Sequence, residues 1–237
     1  MLTVSNVSGL GTLVPKIRYE ICGAASDTTD AKTYSFTSVS IGTAAADRLV
    51  VVSISAPGTE VATLASCTIA GSAATVVAEA ESTGSSATSQ HYICQRVVDT
   101  GTTATIAFTV TSSGNLRGAA IRVFALYGAK STVFSTTTDI KSTNDNDGIL
   151  SGTVNTVPGG FVIAGLTNAD SADPAAPLWA WTNATKQDDV RLETGRIYSN
   201  AYNNNLSSNS LIVTATYDPG ESCDRAAFAV ASWQPIF

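Results

Sequence analysis

The sequence predicts an all-β protein: two antiparallel β-sandwich units in tandem, preceded by an extended N-terminal arm. Three observations predict it. Short runs of β-branched and aromatic residues alternate with turns rich in Ser, Gly and Asn along all 237 residues. No window keeps an apolar i, i+3, i+4, i+7 stripe with a cap at its start, so helices are not expected. The order of apolar runs between Thr33 and Tyr127 is also written a second time between Ile149 and Trp233.

Residues 1–25 carry Ser, Gly and Val in no steady period, and Pro15 interrupts them. They are expected to stay outside the core, as an arm along a neighbouring subunit or as a frayed terminus. The first unit is expected over residues 26–130. In it Thr33 to Ile41 alternates Tyr34 and Phe36, then Val39 and Ile41, and the slip at Thr37-Ser38 predicts a bulge. Leu49 to Ile54 is nearly continuous and β-branched, the pattern of a central strand covered on both faces. Cys67 to Val77 reads as a hairpin turning at Gly71-Ser72, and Glu81 to Ser89 as a polar loop. His91 to Val98, Thr103 to Val110 and Arg117 to Tyr127 follow as strands, the last again apolar on both sides.

Gly128 to Asp147 reads as a polar connector, and the second unit is expected over residues 131–237. Ile149–Val154 echoes Phe36–Ile41, and Phe161–Leu166 echoes Leu49–Ile54. Leu178–Asn183 takes the place of Ser66–Gly71, with Asn183 at the turn held by Gly71. Arg196–Tyr202, Leu211–Tyr217 and Arg225–Trp233 echo the strands around Tyr92, Ile106–Val110 and Arg117–Leu126. The offset stays within roughly 104 to 113 residues throughout, which is the signature of a repeat.

Composition narrows the function. Hydrophobic residues make up 44% of the chain, enough for a real core, and charged residues only 14%. With a net charge of −6, no basic face is available for nucleic acid. No apolar run reaches the roughly 18–20 residues of a membrane helix, so no membrane insertion is expected. The first basic residue is Lys16, so the start lacks the charged region of a secretory signal, and synthesis in the cytoplasm is expected.

Candidate chemistry is sparse. His91 is the one imidazole, on a strand and without a nucleophile-elbow motif, and reads as a surface or loop-flanking residue with no catalytic task. Asn144-Asp-Asn-Asp-Gly148 resembles part of a calcium loop, which makes Asp145 and Asp147 weak calcium candidates, but the distal Glu is missing and a plain Asx-rich turn is the better reading. Trp179 and Trp181 fall on one strand face. With Tyr202 they are candidates for sugar stacking or for a core or subunit interface. Cys22, Cys67, Cys94 and Cys223 show no CxxC spacing and read as buried thiols, with a Cys67–Cys94 disulfide open in an oxidising setting. No catalytic residue, cofactor or firm metal site is assigned, and the chain is expected not to be an enzyme.

Ser40-Ile-Gly-Thr-Ala-Ala-Ala-Asp-Arg-Leu-Val-Val-Val52, Thr68-Ile-Ala-Gly-Ser-Ala-Ala-Thr-Val76 and Val157-Pro-Gly-Gly-Phe-Val-Ile163 together resemble the small β-sandwich structural proteins of tailed bacteriophages, with tandem jelly-roll-like units. The resemblance covers most of residues 30–237. It implies a virion protein made in the host cytoplasm, most simply one that decorates or cements the capsid. The alternative within the particle is a tail-fibre or baseplate subunit with a receptor-facing second domain. Outside the particle, a carbohydrate-binding module or a glycan hydrolase on a jelly-roll scaffold would compete. The implied partners are other copies of the chain, as a trimer or ring, and major capsid or tail proteins. The chain has few lysines and none in the strands named above, so edge strands are expected to be covered by neighbours.

Overall fold

The computed structural model describes residues 14–83, 87–141, 148–169, 179–193, 195–207, 209–217 and 225–236. The regular elements among them are all strands, paired antiparallel into four sheets. The first half holds β1 (Arg18–Ala31), β2 (Thr33–Ser40), β3 (Leu49–Ser55), β4 (Ala62–Ile69), β5 (Ser72–Ala73), β6 (Thr75–Ser82), β7 (Ser89–Val97), β8 (Thr103–Ser112) and β9 (Leu116–Tyr127). The second holds β10 (Ser135–Lys141), β11 (Ile149–Asn155), β12 (Phe161–Ala169), β13 (Ala180–Thr182), β14 (Thr185–Glu193), β15 (Arg196–Asn203), β16 (Ser210–Thr216) and β17 (Ala226–Trp233).

A large sheet ordered β1-β9-β3-β7-β6 faces a small one ordered β2-β8-β4-β5. In the second half β10-β17-β12-β15-β14 faces β11-β16-β13. Strand for strand the two orders correspond. Alternation builds each small sheet: Ala104, Ile106, Phe108 and Val110 of β8 point inward, while Thr103, Thr105, Thr109 and Thr111 point outward. One core fills the first sandwich around Tyr34, Val52, Tyr92 and Phe108. Another fills the second around Leu166, Trp179, Val213 and Phe228.

A third core lies between the two large sheets, where Leu49, Val51, Ile93, Phe124 and Leu126 meet Phe161, Ile163, Ala229 and Trp233. The stack is therefore four sheets deep. This explains the continuous apolar runs: every residue of β3, β12 and β17 is buried, because each of these strands is covered on both faces. The packing is reciprocal. β6 lies against β10 and β17, β14 lies against β9 and β1, and β3 meets its own counterpart β12.

Three expectations need correction. Residues 18–25 do not form an arm: they begin β1, which pairs along β9, and Ile17 beside them is buried. Register shifts between Ile21 and Ala24 and between Asp27 and Asp30 break the alternation, so the strand shows no period in sequence. The connector after Gly128 contains β10, an edge strand with a half-exposed polar pattern. Lysines also do sit on strands: Lys141 lies in β10 and Lys186 in β14, the two edges of one large sheet. The outward N–H groups of Ser151 and Asn155 on β11 donate to Asp139 Oδ2 at 2.9 Å and Ser135 Oγ at 3.1 Å, so β10 covers that edge within the chain.

Arg48 fixes the entry to β3. Its guanidinium is fully buried and donates to carbonyls only: Val98 at 2.8 Å, Gly42 at 2.7 Å, Gly101 at 2.8 Å and Thr100 at 2.7 Å. These bonds tie the turn before β3 to the turn after β7 and leave two buried acceptors, the carbonyls of Gly42 and Val98, and two part-buried ones dependent on one side chain.

Candidate functional site

Among the described residues, the one cluster with nucleophile-and-base geometry lies between the large sheets. Ser53 on β3 and His91 on β7 project toward β12, where Thr167 meets them. Ser53 Oγ is 2.8 Å from His91 Nε2, and His91 Nδ1 is 3.2 Å from Thr167 Oγ1. Thr167 Oγ1 in turn lies 2.7 Å from the Gln90 carbonyl oxygen and 2.8 Å from Ser55 Oγ. A hydroxyl has one proton, and the carbonyl accepts only, so the Thr167 proton goes to Gln90. Its lone pairs then face Nδ1–H, which leaves Nε2 to accept from the Ser53 hydroxyl.

The second half packs around this group by register. With the Leu49–Phe161 echo setting the alignment, Ser53 corresponds to Gly165 and His91 to Tyr198. The His91 and Tyr198 rings stack with centroids 6.2 Å apart. A Cβ at Gly165 would come within 3.0 Å of both His91 Nε2 and Ser53 Oγ, so the missing side chain is what admits the imidazole. Beside it, Arg122 on β9 pairs with Asp188 on β14 and joins the two halves electrostatically.

Ser–His geometry alone does not make a reactive site. Ser53, His91 and Thr167 are each fully buried, and the third member is a hydroxyl where a nucleophilic triad has a carboxylate. Burial pushes the His91 imidazole down to about 3, so it stays neutral with no anion to stabilise its cation. The cluster therefore works as a polar clasp between sheets. This corrects the sequence reading, which placed His91 at the surface. The covering strand lies 76 residues further along the chain, so no local pattern announces it.

The aromatic candidates do not converge. Trp179 is fully buried, with its ring 4.9 Å from that of Tyr217. Trp181 is half-buried inside the second sandwich, stacked 5.9 Å from Phe228, and its indole N–H donates to Ser199 Oγ at 2.9 Å. Tyr202 faces the opposite way, into the core between the large sheets, stacked 5.6 Å from Phe161 and 3.3 Å from the Tyr19 hydroxyl. The three rings form interior contacts and no sugar platform. Asp145 and Asp147 lie outside the described residues, as does Cys223. Among the described residues no group of three or more His, Cys, Asp or Glu side chains could hold a metal ion. No described helix is long and apolar enough to cross a membrane.

Two neighbouring cavities, about 260 and 470 Å³, run along β6 and the segment Ser131–Val133. Their walls combine Val76, Val77, Val97 and Val133 with Thr75, Gln95 and Ser131. The Gln95 amide is already committed, donating to the Ser131 carbonyl at 2.5 Å and accepting from the Trp233 indole at 2.7 Å. Arg96 beside them donates to the Ile69 carbonyl at 2.8 Å, and no carboxylate, imidazole or thiol lines the groove. Comparison with protein-family models, with curated proteins and with solved structures gave no match.

Proposed function

We propose that the chain is a non-enzymatic structural subunit of a tailed-bacteriophage particle, a decoration or cement protein of the head. The observation that carries this reading is the sealed plane between the large sheets. Each large sheet has its outer face packed against the other, so neither offers an open sheet face to a ligand. What is left outward includes a broad threonine-rich face. On the small sheet of the first half Thr33, Thr63, Thr103, Thr105 and Thr111 stand out from the surface, and Thr33 Oγ1 lies 3.1 Å from Thr109 Oγ1. Such a face suits docking on a protein lattice through many weak hydrogen bonds.

The strand order supports a tandem jelly-roll-like reading. Counting β5 and β6 as one broken strand, each half has its first, eighth, third and sixth strands in the large sheet and its second, seventh and fourth in the small one. The fifth strand is drawn over to join the sixth. That order is a jelly roll with one displaced edge, an architecture common in viral shells. The test is quantitative mass spectrometry of density-gradient-purified particles of the encoding phage. Copies in the hundreds per particle support the head assignment, and a few to dozens move the protein to the tail. Absence from particles, with the protein abundant in the lysate, overturns the proposal.

A further inference from the structure

Two thiols sit face to face across the core of the first sandwich. Cys67 lies on β4 of the small sheet and Cys94 on β7 of the large one, and both are buried in the same cluster. Neither faces a cysteine within its own sheet: Cys67 pairs with Phe108 and Cys94 with Val52. Their contact is across the core, and side chains on either side hold it in register. Two residues before Cys94, the Tyr92 hydroxyl donates to the Ala62 carbonyl of β4 at 2.8 Å. Two residues after it, Arg96 donates to the carbonyl of Ile69, two residues beyond Cys67, again at 2.8 Å. Between these two struts the thiols are close enough for Cys67, together with burial, to raise the Cys94 thiol well above its ordinary value.

We infer that Cys67 and Cys94 form a latent cross-sheet disulfide, closed by exchange with a small-molecule disulfide such as oxidised glutathione. The Cys67 thiolate, nearer the surface, attacks one sulfur of the oxidant and releases one small thiol. Cys94 then attacks the mixed disulfide at Cys67 and releases the second. The oxidant's S–S bond breaks, the protein's forms, and the two protons leave on the released thiols. Both sulfurs are shielded in the folded state, so closure takes place while the sandwich is opening or still folding. By register the counterpart of Cys94 in the second half is Ala201, so the second sandwich has no equivalent bond to form.

The test folds the full chain in a glutathione redox buffer, beside a control kept in reductant. Each sample is then alkylated in denaturant, weighed and digested. Of the four cysteines, two should remain alkylatable, with Cys67 and Cys94 joined in one peptide pair. Closing a loop of this length should raise the melting temperature by on the order of 10 °C, and reductant should reverse the rise. A Cys22→Ser/Cys223→Ser chain removes competing partners and should give the same link. Four alkylatable thiols after oxidising refolding, a link through Cys22 or Cys223, or a Cys67–Cys94 link that lowers the melting temperature would each overturn the inference.

Discussion

Protonation of His91 is the sharpest perturbation available to this fold. In the unfolded chain the imidazole titrates near its ordinary 6.5, and in the folded chain near 3. Between those values the unfolded state binds more protons, so stability rises with pH there and is lost as pH falls from about 6.5 toward 3. At 1.36 kcal/mol per unit, acidification from pH 8 to 5 costs about 2 kcal/mol, and continuing to pH 3 brings the total to about 4 kcal/mol. The first figure depends only on a folded value below about 4. The assay is urea unfolding at pH 8, 6 and 5 of the native chain and of His91→Gln, which keeps a donor and an acceptor for Ser53 and Thr167 but takes up no proton. The native chain should lose about 2 kcal/mol more than the variant over that range. Equal losses in the two proteins would refute the buried neutral imidazole, whatever the absolute stability of the variant.

Other outcomes follow from the same packing. Gly165→Ala should cost about 2–4 kcal/mol in urea unfolding because its methyl collides with His91 and Ser53, and combining it with His91→Ala should recover part of that loss. Arg48→Met should cost about 3–5 kcal/mol, since two buried and two part-buried carbonyls lose their donor, and Arg48→Lys should recover only part, as an ammonium cannot reach all four. Trp179→Ala should lower stability by about 3–5 kcal/mol, while tryptophan fluorescence of the native protein should not respond to added sugars.

The strongly patterned elements were legible in the sequence and the weakly patterned ones were not. Leu49–Ile54 announced double coverage because both of its faces are apolar, and it and its echo Phe161–Leu166 are both buried throughout. Gly71 and Asn183 were read as equivalent turn positions, and both adopt left-handed backbone, with φ of 73° and 60°. β1 was missed because two register shifts erase its period, and β10 because an edge strand covering a corner needs no apolar face. The polar clasp was hidden for a different reason. Ser53, Ser55 and His91 interrupt apolar strands, and what makes room for Ser53 and His91 is the absence of a side chain at Gly165, far along the chain from both.

The plane shared by the large sheets also governs how the chain can be divided. A cut near residue 130 leaves each fragment with its own inner core and, on its back, a wide greasy wall carrying Phe124 and Leu126 on one side or Phe161 and Trp233 on the other. Fragments made separately would precipitate or seek a substitute lid, and mixing the complementary pair should dissolve both.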